Sequence, residues 1–167
     1  LLNPASPSLQ ILGVAREELA APMAGALARR RTLRRAFVVH GKDAEGKGLD
    51  EASIEGPTTV VEVGEGRVSP PTVLVPRDLG LPQPTRHALR IKDRSEALAV
   101  ARGLHAGASH PDFRPPVADA VALQAGLGLL LHRGHSLADL PAAFAETRQA
   151  LDRGFALPFP STGEVRP

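Results

Sequence analysis

The residue types that are missing from this chain limit its chemistry before any motif is considered. It has no cysteine, tyrosine or tryptophan, and only five phenylalanines. Disulfides, thiolate catalysis and cysteine-bound zinc are therefore excluded, and a surface that stacks nucleic-acid bases is not expected. The lack of cysteine also fits a reducing compartment.

Long apolar runs are missing as well. The longest candidate, Val117 to Leu131, is interrupted by Asp119 and Gln124, whereas a membrane-spanning helix needs about 20 apolar residues. No membrane segment is therefore expected. With 167 residues, 43% of them hydrophobic, the chain is long enough for one domain with its own core.

Positive and negative charges nearly balance. Twenty Lys and Arg residues oppose eighteen Asp and Glu residues, giving a net charge of +2 despite a pI near 9.7. The one dense basic cluster is Arg29–Arg31 with Arg34 and Arg35. A solvated helix end accounts for it, because arginines near a helix C-terminus complement the helix dipole. The alternative is a non-catalytic protein that binds nucleic acid or another polyanion through Arg29–Arg35.

The first part of the chain predicts one helix and one buried strand. Residues 1–13 are predicted to be a connector, and apolar residues at helical spacing predict a helix over Ala15–Arg31. Pro22 interrupts this pattern, so the helix begins near Ala20 or is kinked. The apolar segment Ala36–His40 then predicts a central strand.

The rest of the chain predicts a hairpin followed by helices. Thr58–Val63 and Val68–Val75 read as antiparallel strands, and the two prolines within the latter confine it to a sheet edge. Only one strand reads as central and parallel, so we predict an α/β domain with part of its sheet missing. Three helices are predicted in the remainder. The first follows the Asp93–Glu96 capping box, the second spans 117–131 and is buried on nearly all sides, and the third follows the Ser136–Asp139 box.

Two adjacent acids, Asp50 and Glu51, follow the central strand and a glycine-rich loop. In α/β sheets, ligands bind beyond the carboxyl ends of the strands, where this loop is expected to lie. Paired carboxylates there would suit Mg²⁺, which prefers oxygen ligands and keeps several waters. The alternative is a solvated acidic loop, since an Asp-Glu pair is a weak motif.

Seven segments, taken together and in order, resemble the anthranilate phosphoribosyltransferase family. The resemblance runs from Leu1 to about Leu157. The segments are Leu1-Leu-Asn-Pro-Ala5, Gln10-Ile-Leu-Gly-Val14, Ala36-Phe-Val-Val-His-Gly41, Gly48-Leu-Asp-Glu-Ala-Ser53, Gly56-Pro-Thr58, Pro76-Arg-Asp-Leu-Gly-Leu81 and Leu151-Asp-Arg-Gly-Phe-Ala156.

The resemblance implies both a fold and a reaction. The fold is the later part of a nucleoside phosphorylase-like α/β domain, with a sheet flanked by helices and a β-hairpin, expected here over residues 1–157 with a flexible tail over 158–167. The reaction is transfer of a 5-phosphoribosyl group from phosphoribosyl pyrophosphate to anthranilate, in tryptophan biosynthesis. A nucleoside phosphorylase-like activity is a further alternative within this fold class. The family's acid pair ligates Mg²⁺, and here that pair is Asp50 and Glu51.

The family's other substrate-binding residues and its helical dimer interface lie before the part that this chain resembles. We therefore expect the 167-residue chain to be inactive alone and the intact protein to be a homodimer. The chain opens without an initiating Met, as if inside a structural unit. A cytoplasmic location is expected, and a plastid location stays open.

Departures from the family pattern supply further expectations. The loop Lys42–Lys47 is longer than usual, so it could move the acid pair or add a ligand from Asp43 or Glu45. Gln124 lies in an apolar helix and must find a hydrogen-bond partner, because an unsatisfied buried amide costs about 1–3 kcal/mol. His40, at the strand end, is expected to be structural and not a general base.

His132 and His135 are three residues apart but straddle a predicted helix end. We expect them to add polarity at that terminus, where cationic side chains are favourable. A zinc site is the alternative.

Overall fold

The computed structural model describes residues 5–81 and 88–155. Within them a six-stranded sheet has helices on both faces, which confirms the predicted α/β class. The predicted tail, residues 158–167, lies outside the described residues. The strands are β1 (Leu9–Gly13), β2 (Arg35–Lys42), β3 (Gly48–Leu49), β4 (Thr58–Gly64), β5 (Arg67–Val68) and β6 (Thr72–Leu74), and the helices are α1 (Ala20–Ala28), α2 (Arg94–Ala106), α3 (Pro115–Arg133) and α4 (Leu140–Arg153).

The prediction of a connector over residues 1–13 is wrong for its second half. Residues from Leu9 to Gly13 form β1, which pairs in parallel with β2 in the register Leu9↔Arg35 to Gly13↔Val39. The Pro- and Ser-rich start hides this strand in the sequence, and its pairing partner lies 26 residues away. Because β1 supplies a parallel neighbour, the predicted shortage of partners for the central strand is also wrong.

The predicted central strand and hairpin are confirmed. β2 lies between β1 and β4, and it pairs with β4 antiparallel from Arg35↔Gly64 to Gly41↔Thr58. β4 in turn pairs with both β5 and β6. Pro70 and Pro71 separate these last two strands because proline has no amide hydrogen for the ladder.

Alternate residues of β2 belong to two different cores. Phe37 and Val39 pack on one face, in a cluster that includes buried residues of α3 and α4. Ala36 and Val38 pack on the other face with α1. This division follows from the two-residue side-chain period of a strand. It explains why β2 has an uninterrupted apolar run, as a strand covered on both faces requires.

The helix starts follow their local signals. α1 begins at Ala20, as one of the two predicted alternatives requires, after a 3₁₀ turn over Glu17–Leu19. Pro22 therefore lies in the first turn, where its missing amide hydrogen costs no helical hydrogen bond. Asp93 caps α2 by accepting a hydrogen bond from the Glu96 amide.

The third predicted helix, α3, is less enclosed than its composition indicates. Seven of its residues are buried against the sheet and α4. Val121, however, is 40% exposed, so the prediction that this helix is buried on nearly all sides is wrong for one face. Among the described helices, none has the length and apolar character needed to cross a membrane.

Candidate active site at the carboxyl ends of the parallel strands

The predicted acid pair lies where the two parallel strands end. After β2 the chain forms a loop, returns as β3 antiparallel to Gly41 and Lys42, and reaches Asp50 and Glu51. The Asp50 backbone passes over Gly13, the last residue of β1, so closely that a Cβ on Gly13 would lie 1.5 Å from the Asp50 carbonyl oxygen. This contact brings the acid pair to the carboxyl end of β1 as well as of β2.

The backbone of the acid pair is packed, whereas its side chains are open to solvent. A Cβ on Gly41 would lie 2.3 Å from the Glu51 carbonyl oxygen, so β2 also needs a glycine at this point. Asp50 and Glu51 are both exposed. Neither carboxylate forms an ion pair within the described residues. An ion pair between these carboxylates and an arginine would have argued against metal binding, and none is found in that part of the chain.

The segment directly after the acid pair is held by hydrogen bonds from two other elements. The Gln124 side chain, on α3, donates from Nε2 to the Ala52 carbonyl oxygen at 3.3 Å, which confirms that this residue finds a partner. The Ser53 amide donates to Thr58 Oγ1 at the start of β4, at 2.8 Å. The Ser53 hydroxyl oxygen accepts from the amides of Glu55 and Gly56.

The loop before β3, Asp43–Lys47, is closed on itself. Asp43 Oδ1 accepts hydrogen bonds from the amides of Glu45 and Lys47, both at 2.8 Å. The side chain of Lys47 in turn contacts the Glu45 carboxylate at 2.9 Å, and this hydrogen bond raises the pKa of Lys47. The expected extra metal ligand is therefore not supported, because both acids are engaged within the loop.

A cavity of about 350 Å³ adjoins this loop. Residues of the loop line it together with Glu55, Leu89 and Arg90. Asp50 and Glu51 are not among its lining residues, so the acid pair faces open solvent beside the cavity and does not point into it.

His40 has the structural role expected from the sequence. It is 3% exposed, and its Nδ1 lies 2.9 Å from the Val14 carbonyl oxygen. Its ring also lies against Gly48, since a Cβ there would approach His40 Cε1 to 2.7 Å. The ring thus ties the residue after β1 to β2 and β3, and it is too buried to meet a substrate.

A polar cluster near the acid pair is not apparent from the sequence. Lys42 Nζ lies 3.0 Å from Glu17 Oε2, and Thr59 Oγ1 donates to Glu17 Oε1 at 3.1 Å. The hydrogen bond from Lys42, with that from Thr59, lowers the pKa of Glu17. The three residues join the segment after β1 to β2 and β4. Their separation in sequence leaves no motif from which the contact could be predicted.

Part of the arginine cluster is engaged in contacts within the fold. Arg30 donates to the Gln10 side chain at 2.9 Å. Arg35, at the opposite end of β2 from the acid pair, donates from Nε to Glu62 Oε1 at 2.6 Å and stacks on Phe37. Two of its five cations are therefore engaged within the fold, which weakens the polyanion-binding alternative.

The two histidines considered for zinc lie at the end of α3, which stops at Arg133 before Gly134 in a left-handed conformation. Both His132 and His135 are exposed. Within residues 5–81 and 88–155, no three side chains of His, Asp or Glu are grouped as a metal site. The acid pair would hence supply two ligands, and Mg²⁺ commonly takes its others from water and substrate phosphates.

Comparisons with known proteins connect this geometry to one family. Residues 1–157 match the family model described as "Glycosyl transferase family, a/b domain". The chain is 37% identical over 154 residues to the anthranilate phosphoribosyltransferase of Idiomarina loihiensis, covering 92% of this chain and 42% of that protein. The relative from Chloroflexus aurantiacus is 34% identical over 157 residues, covering 94% and 43%. The chain thus spans about two fifths of the length of these relatives.

Solved structures give the same result for the fold. The anthranilate phosphoribosyltransferase of Thermus thermophilus superposes with a TM-score of 0.66 at 37% identity, covering 85% of this chain and 38% of that one. The enzyme from Saccharomyces cerevisiae, solved with 4-fluoroanthranilate, gives 0.70 at 24% identity with the same coverage, and supports the fold alone. The chain therefore belongs to the glycosyl transferase family, whose α/β domain model matches residues 1–157.

Proposed function

We propose that this chain is the magnesium-binding part of an anthranilate phosphoribosyltransferase. Its relatives carry that name, and the chain spans 42% of the first of them. The activity is therefore proposed for a protein in which residues 1–167 act together with a part that corresponds to the remainder of those relatives. Alone, the 167-residue chain is predicted not to turn over the two substrates.

The observation that carries the proposal is the exposure of two adjacent carboxylates on a fixed backbone. Asp50 and Glu51 are exposed, while their carbonyl oxygens are packed against Gly13 and Gly41. This arrangement leaves the carboxylate oxygens free for a ligand and blocks movement of the backbone toward β1 and β2.

The two side chains fit Mg²⁺ by their chemistry. Both offer hard oxygen donors, and both are open enough for the ion to retain waters or accept phosphate oxygens. Asp50 and Glu51 would hold the ion. Bound there, it would neutralise charge that develops on the departing pyrophosphate.

In the proposed reaction the bond from the ribosyl carbon to pyrophosphate breaks, a bond to the anthranilate nitrogen forms, and the amine loses a proton. An aromatic amine is already a usable nucleophile, so the main task of the protein is to orient the reactants and to match the developing charge. His40 is not assigned the role of base, because its ring is buried against Val14 and Gly48. The chain contributes the acid pair, whose backbone is packed against Gly13 and Gly41.

The same proposal extends to assembly and location. A homodimer is proposed, formed through a helical domain corresponding to the part of the relatives that this chain does not cover. A cytoplasmic location is proposed for the same protein. Sedimentation of the natural polypeptide that carries residues 1–167 tests the dimer, and a monomer at micromolar concentration would contradict it.

The natural polypeptide that carries residues 1–167 should consume anthranilate in the presence of phosphoribosyl pyrophosphate, as followed by anthranilate fluorescence. Replacing Asp50→Asn and Glu51→Gln together should lower kcat/KM by about 100-fold or more, because metal stabilisation of transition-state charge is worth several kcal/mol. Chelation of Mg²⁺ should have the same effect on the unmodified protein.

The matched control is Asp43→Asn with Glu45→Gln in the neighbouring loop, where both acids are engaged locally. This variant should retain Mg²⁺-dependent turnover. Absence of turnover by the natural polypeptide, or full Mg²⁺-dependent turnover by the Asp50/Glu51 variant, would overturn the proposal.

A further inference from the structure

A single peptide group after the acid pair is held at both of its ends. The carbonyl of the Ala52–Ser53 peptide accepts from Gln124 Nε2 on α3, and the amide hydrogen of the same peptide is donated to Thr58 Oγ1 on β4. Because a peptide group is planar, fixing its oxygen and its hydrogen leaves only rotation about the line that joins them. Side chains of two elements, α3 and β4, therefore restrain one backbone unit.

This peptide lies one residue beyond Glu51, so its orientation affects where the acid pair points. The backbone before it is fixed by the contacts of Asp50 with Gly13 and of Glu51 with Gly41. Ala52 is itself 3% exposed and packs in the core cluster that contains residues of α3. Within residues 49–54, Asp50 and Glu51 are the exposed residues, since Leu49 is half-buried and residues 52–54 are buried.

We propose that Gln124 is a positioning residue for the acid pair, acting through the Ala52 carbonyl; this role in catalysis depends on the function proposed above. Gln124 is half-buried in a helix whose neighbouring Leu123 and Leu127 are in the core. A polar side chain there stabilises the fold less well than a leucine unless its hydrogen bond is made. Its donor reaches across to the loop, and Thr58 holds the other end of the same peptide.

The test uses Gln124→Met, which keeps the length of the side chain and its helix propensity but removes the donor. Gln124→Glu keeps the shape and places an acceptor opposite the Ala52 carbonyl. In the natural polypeptide that carries residues 1–167, both variants should raise the Mg²⁺ concentration for half-maximal turnover by about tenfold, as loss of an outer-shell partner commonly does. The value of kcat at saturating Mg²⁺ should change less.

A second measurement does not depend on turnover. Hydrogen exchange of the Ser53 amide, compared with that of Val61 in the centre of β4, should accelerate by about tenfold in Gln124→Met, since the local hydrogen-bond network is then weakened. Thr147→Val is the matched control. Thr147, on α4, donates from Oγ1 to the carbonyl oxygen of Ala122 on α3 at 2.8 Å, so it contacts the helix of Gln124 from the side of α4. It should lower thermal stability and leave both readouts unchanged.

The outcomes separate the two proposals. If Ser53 exchange and the Mg²⁺ requirement both stay within about twofold of the unmodified protein, Gln124 has no positioning role. If exchange accelerates but the Mg²⁺ requirement does not move, the peptide is held without effect on the acid pair, which also overturns the inference. If exchange accelerates in a natural polypeptide that has no transferase activity, the contact with the Ser53 peptide is real and the proposed function fails.

Discussion

The carbonyl oxygen of Asp50 occupies the space beside Gly13 that a side chain would need. A Cβ on Gly13 would lie 1.5 Å from that oxygen, far inside any van der Waals contact. The end of β1 and the acid pair are thus in direct backbone contact. A side chain added at position 13 must therefore displace the backbone of the acid pair.

We predict that Gly13→Ala displaces the acid pair. The added Cβ clashes with backbone atoms of Asp50, which cannot turn aside as a side chain could. In the natural polypeptide that carries residues 1–167, the variant should therefore lose the proposed Mg²⁺-dependent turnover by about 100-fold, the penalty expected for a shift of about 1 Å in a catalytic group. The matched control is Gly25→Ala in α1, where an added Cβ meets nothing within 4 Å. Equal activities of the two variants would contradict the prediction.

Gly25→Ala carries a prediction of its own. Gly25 lies inside α1 with a helical backbone, and alanine loses less conformational entropy there. We expect the free energy of unfolding to rise by about 0.5–1 kcal/mol, measured by urea denaturation. A loss of stability would mean that α1 packs more tightly than the contacts around Gly25 indicate.

Valine truncations should separate the core from the edge of the sheet. Val39 in β2 is 1% exposed and Val73 in β6 is 59% exposed. Val39→Ala should cost about 2–3 kcal/mol of unfolding free energy, from lost transfer energy and the cavity left behind. Val73→Ala should change it by about 0.5 kcal/mol or less. Chemical denaturation of the two variants provides the comparison, and equal costs would contradict the burial of Val39 and the exposure of Val73.

The contact between α3 and α4 should depend on pH. Arg133 donates to both carboxylate oxygens of Glu146, at 2.7 and 2.8 Å, and this hydrogen bond lowers the pKa of Glu146 from its ordinary value of 4.5. A lowered pKa stabilises the folded state above the ordinary value, and the contribution is lost as the pH falls through the folded-state pKa.

We therefore expect Glu146→Gln to melt at a lower temperature than the unmodified protein at neutral pH. The difference in Tm should shrink as the pH falls through the lowered folded-state pKa of Glu146, because both forms are then neutral at this position. Arg133→Gln should show the same pH dependence because it removes the donor. A Tm difference that stays constant with pH would contradict this account.

The engaged and exposed arginines should respond differently to neutralisation. Arg35→Gln removes a bond to Glu62 and one to the Leu130 carbonyl oxygen, and it should cost about 1–3 kcal/mol. Arg31→Gln, at an exposed position, should change stability by about 0.5 kcal/mol or less.

The same variants test the polyanion alternative: salt-sensitive retention on DNA that is lost in Arg31→Gln but retained in Arg35→Gln would support it.

The sequence was sufficient for the features that depend on local chemistry. The apolar run from Ala36, the capping residue Asp93 and the paired prolines at 70 and 71 each predicted an element that the structure contains. The need of Gln124 for a partner was also predictable from its apolar helix. Local patterns succeed here because each signal and its structural consequence lie within a few residues.

The features that were missed depend on pairing across the chain. β1 is a strand because it aligns with β2, and its own Pro- and Ser-rich approach gave no indication of this. The Glu17–Lys42–Thr59 cluster and the bond from Gln124 to Ala52 join residues far apart in sequence. The acid pair could be proposed from the resemblance, but the contacts that hold its backbone could not.

The alternation of β2 between two cores also limits where this chain can change in length. Deleting or inserting one residue between Arg35 and Gly41 would exchange the sets that face α1 and α3, because each residue would turn to the opposite side. The last pair of the β2–β4 ladder is Gly41↔Thr58, and β2 itself ends at Lys42, which pairs with Gly48 of β3. The loop beyond Lys42 is therefore the first point after β2 at which residues can be added without turning the strand over.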